Sequence, residues 1–88
     1  MKANPEFISR DIAGETVLVP VGTAAKRCGG LIACNEVGSF IWHRLENECS
    51  MEELCNAVLA EFEVSPETAM ADTKEFVGRL KELGAIIG

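Results

Sequence analysis

The sequence has no tyrosine, one tryptophan and one histidine, and its basic residues are few: eight Lys and Arg against fourteen Asp and Glu. The resulting formal charge of -6 repels phosphate backbones and anionic lipid surfaces, so neither nucleic acid nor a membrane is expected as a partner. The longest apolar run is Val17 to Val21, far too short to span a bilayer, and the first residues lack the apolar core of a signal peptide. We therefore expect a cytoplasmic protein.

Residues typical of a catalytic or cofactor site are also scarce. A chain of 88 residues forms one small domain, here taken as residues 1–88, and such a domain has little volume for a concave active site once its core is filled. His43 is the only histidine, and the pair Gly29-Gly30 precedes a predicted strand rather than a helix, so it is not a phosphate-binding loop. We expect neither catalysis nor a bound cofactor.

The four cysteines form two C-x5-C pairs, Cys28 with Cys34 and Cys49 with Cys55. Structural zinc sites use shorter spacings and often histidine, and His43 lies apart from both pairs, so a metal site is not expected. In a reducing compartment the four are expected to be free thiols that pack as small apolar residues. A metal or redox module based on the cysteines remains an alternative.

Up to about residue 35 the apolar pattern alternates with a period of two, which is typical of strands. Phe7–Ala13 and Thr16–Pro20 are predicted to form a β-hairpin across a turn at Gly14-Glu15. Residues 22–27 are predicted as a loop, and Leu31–Cys34 as a third strand.

The rest of the chain carries helical patterns with capping residues at the boundaries. Asn35 is predicted to cap a helix over Glu36–Leu45, in which Trp42 covers the sheet. Ser50 begins a capping box for a second helix, whose apolar face would place Cys55 in the core. Ser65-Pro66 begins a third helix that runs to about Leu83, and Gly84 is placed to end it.

The predicted fold class is therefore α+β, a three-stranded antiparallel sheet followed by a three-helix bundle, an order typical of winged helix-turn-helix domains. A DNA-reading helix needs a basic face, but the third helix carries three basic residues against four acidic ones. Its charge argues against DNA binding, which stays as an alternative function. A three-stranded sheet also leaves an open edge, to which an extended peptide could add as a further strand.

A set of motif positions extends along nearly the whole chain, and the strongest is N-E-V-G-x-x-I-W at residues 35–42. The others are Phe7, Arg10, Ile12, Gly14-Glu15, Leu18-Val19-Pro20, Glu53-Leu54, Glu61-Phe62-Glu63-Val64, Asp72, Phe76 and Leu83-Gly84. In their order and spacing these positions resemble the PqqD-like family, small peptide-recognition proteins named after pyrroloquinoline quinone biosynthesis protein D.

This resemblance implies a non-catalytic chaperone that binds the leader of a ribosomally made precursor peptide. The leader would lie as a fourth strand beside the third strand and against the third helix, for presentation to a modifying enzyme, commonly a radical S-adenosylmethionine enzyme. The peptide-binding residues carried over by position are Gly30, Leu31, Ile32, Ala33 and Cys34 on the strand and Asp72, Phe76, Arg79 and Leu80 on the helix.

Three further expectations concern residues around this edge. Cys28 and Cys34 flank it, so a thiol contact or redox control of binding is a hypothesis. Arg10 is expected to pair with a neighbouring carboxylate such as Glu36 rather than to contact the peptide. A monomer is expected, with dimerisation through the open strand edge as the alternative.

Overall fold

A mixed α+β chain with antiparallel sheets is seen in the computed structural model, which describes residues 1–27 and 30–88. The elements in these two ranges are, in order, β1 (Lys2–Ala3), β2 (Phe7–Ile12), β3 (Glu15–Pro20), α1 (Thr23–Arg27), β4 (Ile32–Cys34), α2 (Glu36–Arg44), α3 (Met51–Glu61), α4 (Pro66–Glu82) and β5 (Ile86–Ile87). The α+β class is as predicted. The exact order of three strands and then three helices is not, because β1, α1 and β5 are additional.

The larger sheet has the order β2-β3-β4, and both of its pairings are antiparallel. The hairpin turn lies one residue earlier than predicted, at Ala13-Gly14, because Glu15 already pairs with Ile12. Ala13 and Gly14 have φ values of 53° and 83°, and two successive positive φ values are what a two-residue hairpin turn of the primed type requires.

The predicted loop after β3 contains the short helix α1. The Glu6 carboxylate accepts a hydrogen bond of 2.9 Å from the backbone N–H of Thr23, the first residue of that helix. Gly22 has a positive φ of 58°, and a Cβ there would lie 2.7 Å from the Glu6 carboxylate. A helix of five residues shows no periodicity, and its cap comes from a residue distant in sequence, so a local pattern could not predict it.

The two ends of the chain form a second sheet that the sequence analysis did not predict. Lys2 pairs with Ile87 and Ala3 with Ile86. The backbone N–H of Ala3 also donates to the carbonyl of Leu45, and that of Asn4 to the carbonyl of Ala85, both at 2.8 Å. The small sheet therefore joins both ends of the chain to the helices.

The three longer helices begin where their capping residues predicted. The Asn35 side chain accepts from the backbone N–H of Gly38 at 2.8 Å, and Ser50 forms a capping box with Glu53. Ser65 caps α4, which has Pro66 in its first turn, and Gly84 follows the helix with a φ of 77°. Within the described residues, each helix is too short or too polar to cross a bilayer.

The core lies between the inner face of the larger sheet and the helices, and α2 packs against β3, β4, α3 and α4. Trp42 is buried and lines a cleft with Phe7 and Ser9 of β2, so it lies on the sheet side as predicted.

Cys34 and Cys49 are buried, but Cys55 is only half-buried. The prediction that Cys55 lies in the core was therefore wrong in degree, since its position is at the margin of the apolar stripe of α3. The largest fully buried side chains are Leu18, Ile41, Leu45, Leu54, Leu80, Val58, Val77 and Thr73.

Candidate functional site

The outer edge of β4 is one side of the candidate site. β4 lies at the end of the larger sheet, and within residues 1–27 and 30–88 it pairs with β3 alone. The side chains of Ile32 and Cys34 are buried, while Ala33 between them is exposed. An incoming strand could therefore pair with this edge without displacing a strand that is already there.

A pocket of about 160 Å³ lies between the first turn of α2 and the middle of α4. The pocket is concave and open to solvent, and it could accommodate a side chain of a ligand bound beside the sheet. Its lining consists of Asn35, Val37, Gly38, Asp72, Glu75, Phe76 and Arg79.

The pocket depends on a close approach between α2 and α4 at Gly38. A Cβ at this position would lie 2.9 Å from Cε1 of Phe76 and 3.2 Å from Oδ1 of Asn35. The absence of a side chain at Gly38 thus lets the Phe76 ring lie against the first turn of α2. The helix cap and the pocket wall share Asn35, since the amide oxygen that caps the helix also faces this contact.

The charges of the pocket come from one face of α4. Asp72 and Glu75 supply two carboxylates and Arg79 one guanidinium, and none of the three forms an ion pair with another described residue. Burial raises the pKa of the Cys34 thiol, and the positive charge of Arg79 offsets part of that rise. Asn35, which directly follows β4, lines the pocket together with Arg79, so the pocket adjoins the end of this strand. The outer edge of β4 and the pocket are together called the groove.

A second, polar cleft of about 420 Å³ lies on the other side of Asn35, at the hairpin end of the sheet. The Thr16 hydroxyl lies 3.0 Å from the Asp11 carboxylate, to which it donates, and 2.6 Å from the Ser39 hydroxyl. These bonds hold the hairpin against α2. The cleft is lined by Gly14, Glu15, Thr16, Cys34, Asn35, Glu36 and Ser39.

The nine predicted peptide-binding residues do not all reach the groove surface. Leu31 and Ala33 are exposed, as are Asp72 and Arg79, and Phe76 is half-buried. Gly30 is also exposed. The side chains of Ile32, Cys34 and Leu80 are buried in the core, so they can support the groove but not contact a ligand through an exposed side chain. Cys28 lies outside the described residues.

Four pocket residues were missing from the prediction: Asn35, Val37, Gly38 and Glu75. The first three belong to the N-E-V-G motif, which predicts a helix start and a family signature but not a pocket wall. Glu75 lies one turn from Asp72 and Arg79 on α4. Helical spacing from the two predicted charges could have identified it.

The expected pairing of Arg10 with Glu36 is wrong. Arg10 forms no ion pair with any described residue, and its side chain is exposed on the side of β2 opposite to Phe7. Glu36 lines the second cleft at the start of α2. The two residues are separated because alternation along β2 points Arg10 away from the helices.

The cysteines and the histidine form no metal centre within the part of the chain that the structure describes. No group of three or more His, Cys, Asp and Glu residues there could hold an ion. Cys34, Cys49 and Cys55 carry free thiols. His43 lies at the surface, with Nδ1 at 3.3 Å from the Glu46 carboxylate, which is a structural contact.

Comparison with known proteins gives matches for both the sequence and the fold. The family model for coenzyme PQQ synthesis protein D (PqqD) matches residues 15–86. One similar solved structure is TbiB1 in complex with the TbiA(beta) leader peptide. Its sequence is 31% identical to that of this chain, the TM-score is 0.80, and the match covers 100% of this chain and 96% of that one. A lasso peptide synthetase B1 complexed with the leader peptide is 23% identical, with a TM-score of 0.76 over 99% of this chain and 96% of that one. A search of the curated proteins found no match.

Proposed function

This chain belongs to the PqqD family, and we propose that it binds the leader of a ribosomally synthesised precursor peptide and presents it to a peptide-modifying enzyme. The chain itself would carry out no chemistry. Its role would be that of a peptide chaperone in natural product biosynthesis.

The observation that carries the proposal is the outer edge of β4, on which no other described strand lies, beside the pocket on α4. An extended peptide placed there would form backbone hydrogen bonds with β4 and direct alternate side chains toward Phe76, Asp72 and Arg79. The 31% identical neighbour is a leader-peptide complex of nearly the same length, which supports a leader as the ligand.

The length of β4 limits what its backbone can contribute. The strand has three residues, so it offers roughly three backbone hydrogen bonds worth about 1 kcal/mol each. Ordering about six leader residues costs roughly 1 to 2 kcal/mol each, which exceeds that gain. The side chains that enter the groove must therefore supply most of the affinity, at about 2 kcal/mol for each apolar group buried. The pocket between α2 and α4 is thus the expected source of selectivity.

The proposed recipient of the bound leader is a radical S-adenosylmethionine enzyme, the class implied by the family resemblance. The test of this part is to purify the enzyme encoded beside this chain and measure modification of the precursor with and without this protein. Modification that does not change when this protein is added would contradict the presentation role.

Binding itself can be tested by titrating isotope-labelled protein with a synthetic leader from the neighbouring precursor gene. We expect amide shifts confined to residues 30–38 and 72–79. Arg79→Glu should weaken binding about tenfold, because it reverses a groove charge next to β4. Lys74→Glu is the matched control, since it makes the same charge change on an exposed position of α4 outside the pocket lining.

The result that would overturn the proposal is an absence of shifts with the leader, or equal losses in the two variants. Binding to duplex DNA with a steep salt dependence would favour the DNA-binding alternative instead.

A further inference from the structure

The larger sheet has an outward face that no described element covers. Its side chains alternate with the inward ones and come from Ile8, Arg10 and Ile12 of β2, Glu15, Val17 and Val19 of β3, and Ala33 of β4. Ile8 pairs with Val19, Ile12 pairs with Glu15, and Arg10, Val17 and Ala33 form one row across the three strands. Since directly paired residues point to the same side of a sheet, these seven side chains form one surface, the outer face.

The outer face holds an unusual share of the exposed apolar surface. Ile8 is 42% exposed and Ile12 55%, which are two of the five large apolar side chains that are exposed among the described residues. A third, Leu31, is 66% exposed and lies just before β4. Single exposed apolar residues are normal on a protein surface, but a cluster of them on one face marks an interaction site.

Arg10 lies in the middle row of this face and has no ion-pair partner among the described residues. A surface that covered it without supplying a carboxylate would leave a buried, unpaired charge. A second copy stacked on this face would bring its own Arg10 and only one outward carboxylate from the three strands, Glu15 at the hairpin end. A different protein, apolar with a carboxylate near the centre of its contact surface, complements the face better.

The outer face is continuous with the edge proposed to take the leader. A strand added beside β4 would extend the sheet, and every second leader side chain would point to the same side as Ala33. With strands about 4.8 Å apart and about 3.3 Å per residue, the fifteen residues of the three strands offer roughly 240 Å². That is well below the roughly 800 Å² per partner of a typical stable interface. The empty protein should therefore dock weakly here, and the added strand should strengthen docking.

From these observations, and resting on the proposed function, we infer that the outer face is the docking surface for the peptide-modifying enzyme. The enzyme would contact the apolar side chains of β2 and β3, pair a carboxylate with Arg10, and contact the outward side chains of the bound leader. Leader and enzyme would then bind with positive coupling, each raising the affinity for the other.

The experiment uses the purified enzyme encoded beside this chain and the synthetic leader. Enzyme affinity is measured by biolayer interferometry with and without saturating leader, and leader affinity by fluorescence anisotropy, for wild type, Arg10→Glu and the double variant Ile8→Ser with Ile12→Ser. Met70→Ser is the matched control, because Met70 is 49% exposed on α4 and lies outside the outer face and the pocket. Circular dichroism verifies that each variant is folded.

For wild type we expect tighter enzyme binding when the leader is present. Both outer-face variants should weaken enzyme binding at least about tenfold while leader affinity stays within about twofold. Met70→Ser should change neither. Unchanged enzyme affinity in the two variants, with leader binding intact, would overturn this inference alone. Loss of an oligomer of this chain in the outer-face variants, measured by light scattering, would also overturn it, because the face would then bind a second copy. Failure of wild type to bind the leader would refute the proposed function and this inference together.

Discussion

Thr73 of α4 is fully buried, and its hydroxyl has no hydrogen-bond partner among residues 1–27 and 30–88. Replacing it with valine keeps the shape and the branching at Cβ and exchanges the unpaired hydroxyl for a methyl group. An unpaired buried polar group costs about 1 to 3 kcal/mol, and the two residues have similar helix propensities. We therefore expect Thr73→Val to increase the free energy of unfolding by about 1 kcal/mol. For a chain of this size, that is a rise in Tm of about 4 to 8 °C.

The same change at Thr16 is the control, because Thr16 is also buried but its hydroxyl contacts both Asp11 and Ser39. Thr16→Val removes two hydrogen bonds worth about 1 kcal/mol each, so we expect destabilisation of about 1 to 2 kcal/mol. Urea unfolding followed by circular dichroism gives both values. If Thr73→Val lowers the stability, or if both variants shift it in the same direction, the assignment of an unpaired hydroxyl at Thr73 is refuted.

Three other predictions concern the turn, the pocket and the thiols. Ala13→Asn should stabilise the protein by about 0.5 to 1 kcal/mol in thermal unfolding, because Ala13 has a positive φ that asparagine tolerates better; a loss of stability would contradict this. Gly38→Ala should weaken leader binding in the anisotropy assay, because its Cβ would push the Phe76 ring into the pocket, and unchanged affinity would contradict this. Burial raises the pKa of the Cys34 and Cys49 thiols, so the folded state holds these protons more tightly than the unfolded state does. Stability should therefore fall as the pH rises above the unfolded thiol value near 8.5, and this slope should be smaller in Cys34→Ala.

Much of the fold could be predicted because its signals are local. Asn35, Ser50 and Ser65 mark helix starts through side chains that bond to the next turn, and Gly84 marks an end through its positive φ. The alternation of apolar residues predicted the hairpin but placed its turn one residue too late. Alternation alone does not show which of two adjacent residue pairs has positive φ values.

The remaining elements could not be predicted because long-range contacts stabilise them. β1 and β5 have two residues each and exist only because opposite ends of the chain meet. α1 is capped by Glu6. The side of the sheet on which the Arg10 side chain lies could not be predicted either, since a charged residue on a strand can face either side until the strand register is known.

Several residues of the candidate site could be predicted from the sequence, but the extent to which each of them is buried could not. Helical periodicity places Asp72, Phe76 and Arg79 on neighbouring turns, and the structure gathers all three at one pocket. The sequence alone did not separate Leu80, which is fully buried, from Phe76, which is half-buried, because both belong to the apolar stripe of α4. Nor did it predict that Gly38 brings α2 close enough to complete the pocket.

The alternation of side chains along an added strand would divide the leader's contacts between two surfaces. Side chains on the inner side would meet the pocket, where Phe76, Asp72 and Arg79 lie. Side chains on the outer side would join the row of Arg10, Val17 and Ala33. Because the β4 backbone is too short to supply the affinity, the inner set would decide whether a peptide binds. The outer set would instead affect docking of the enzyme. Leader substitutions at successive positions should therefore separate capture from processing, since neighbouring side chains face opposite sides of the same strand.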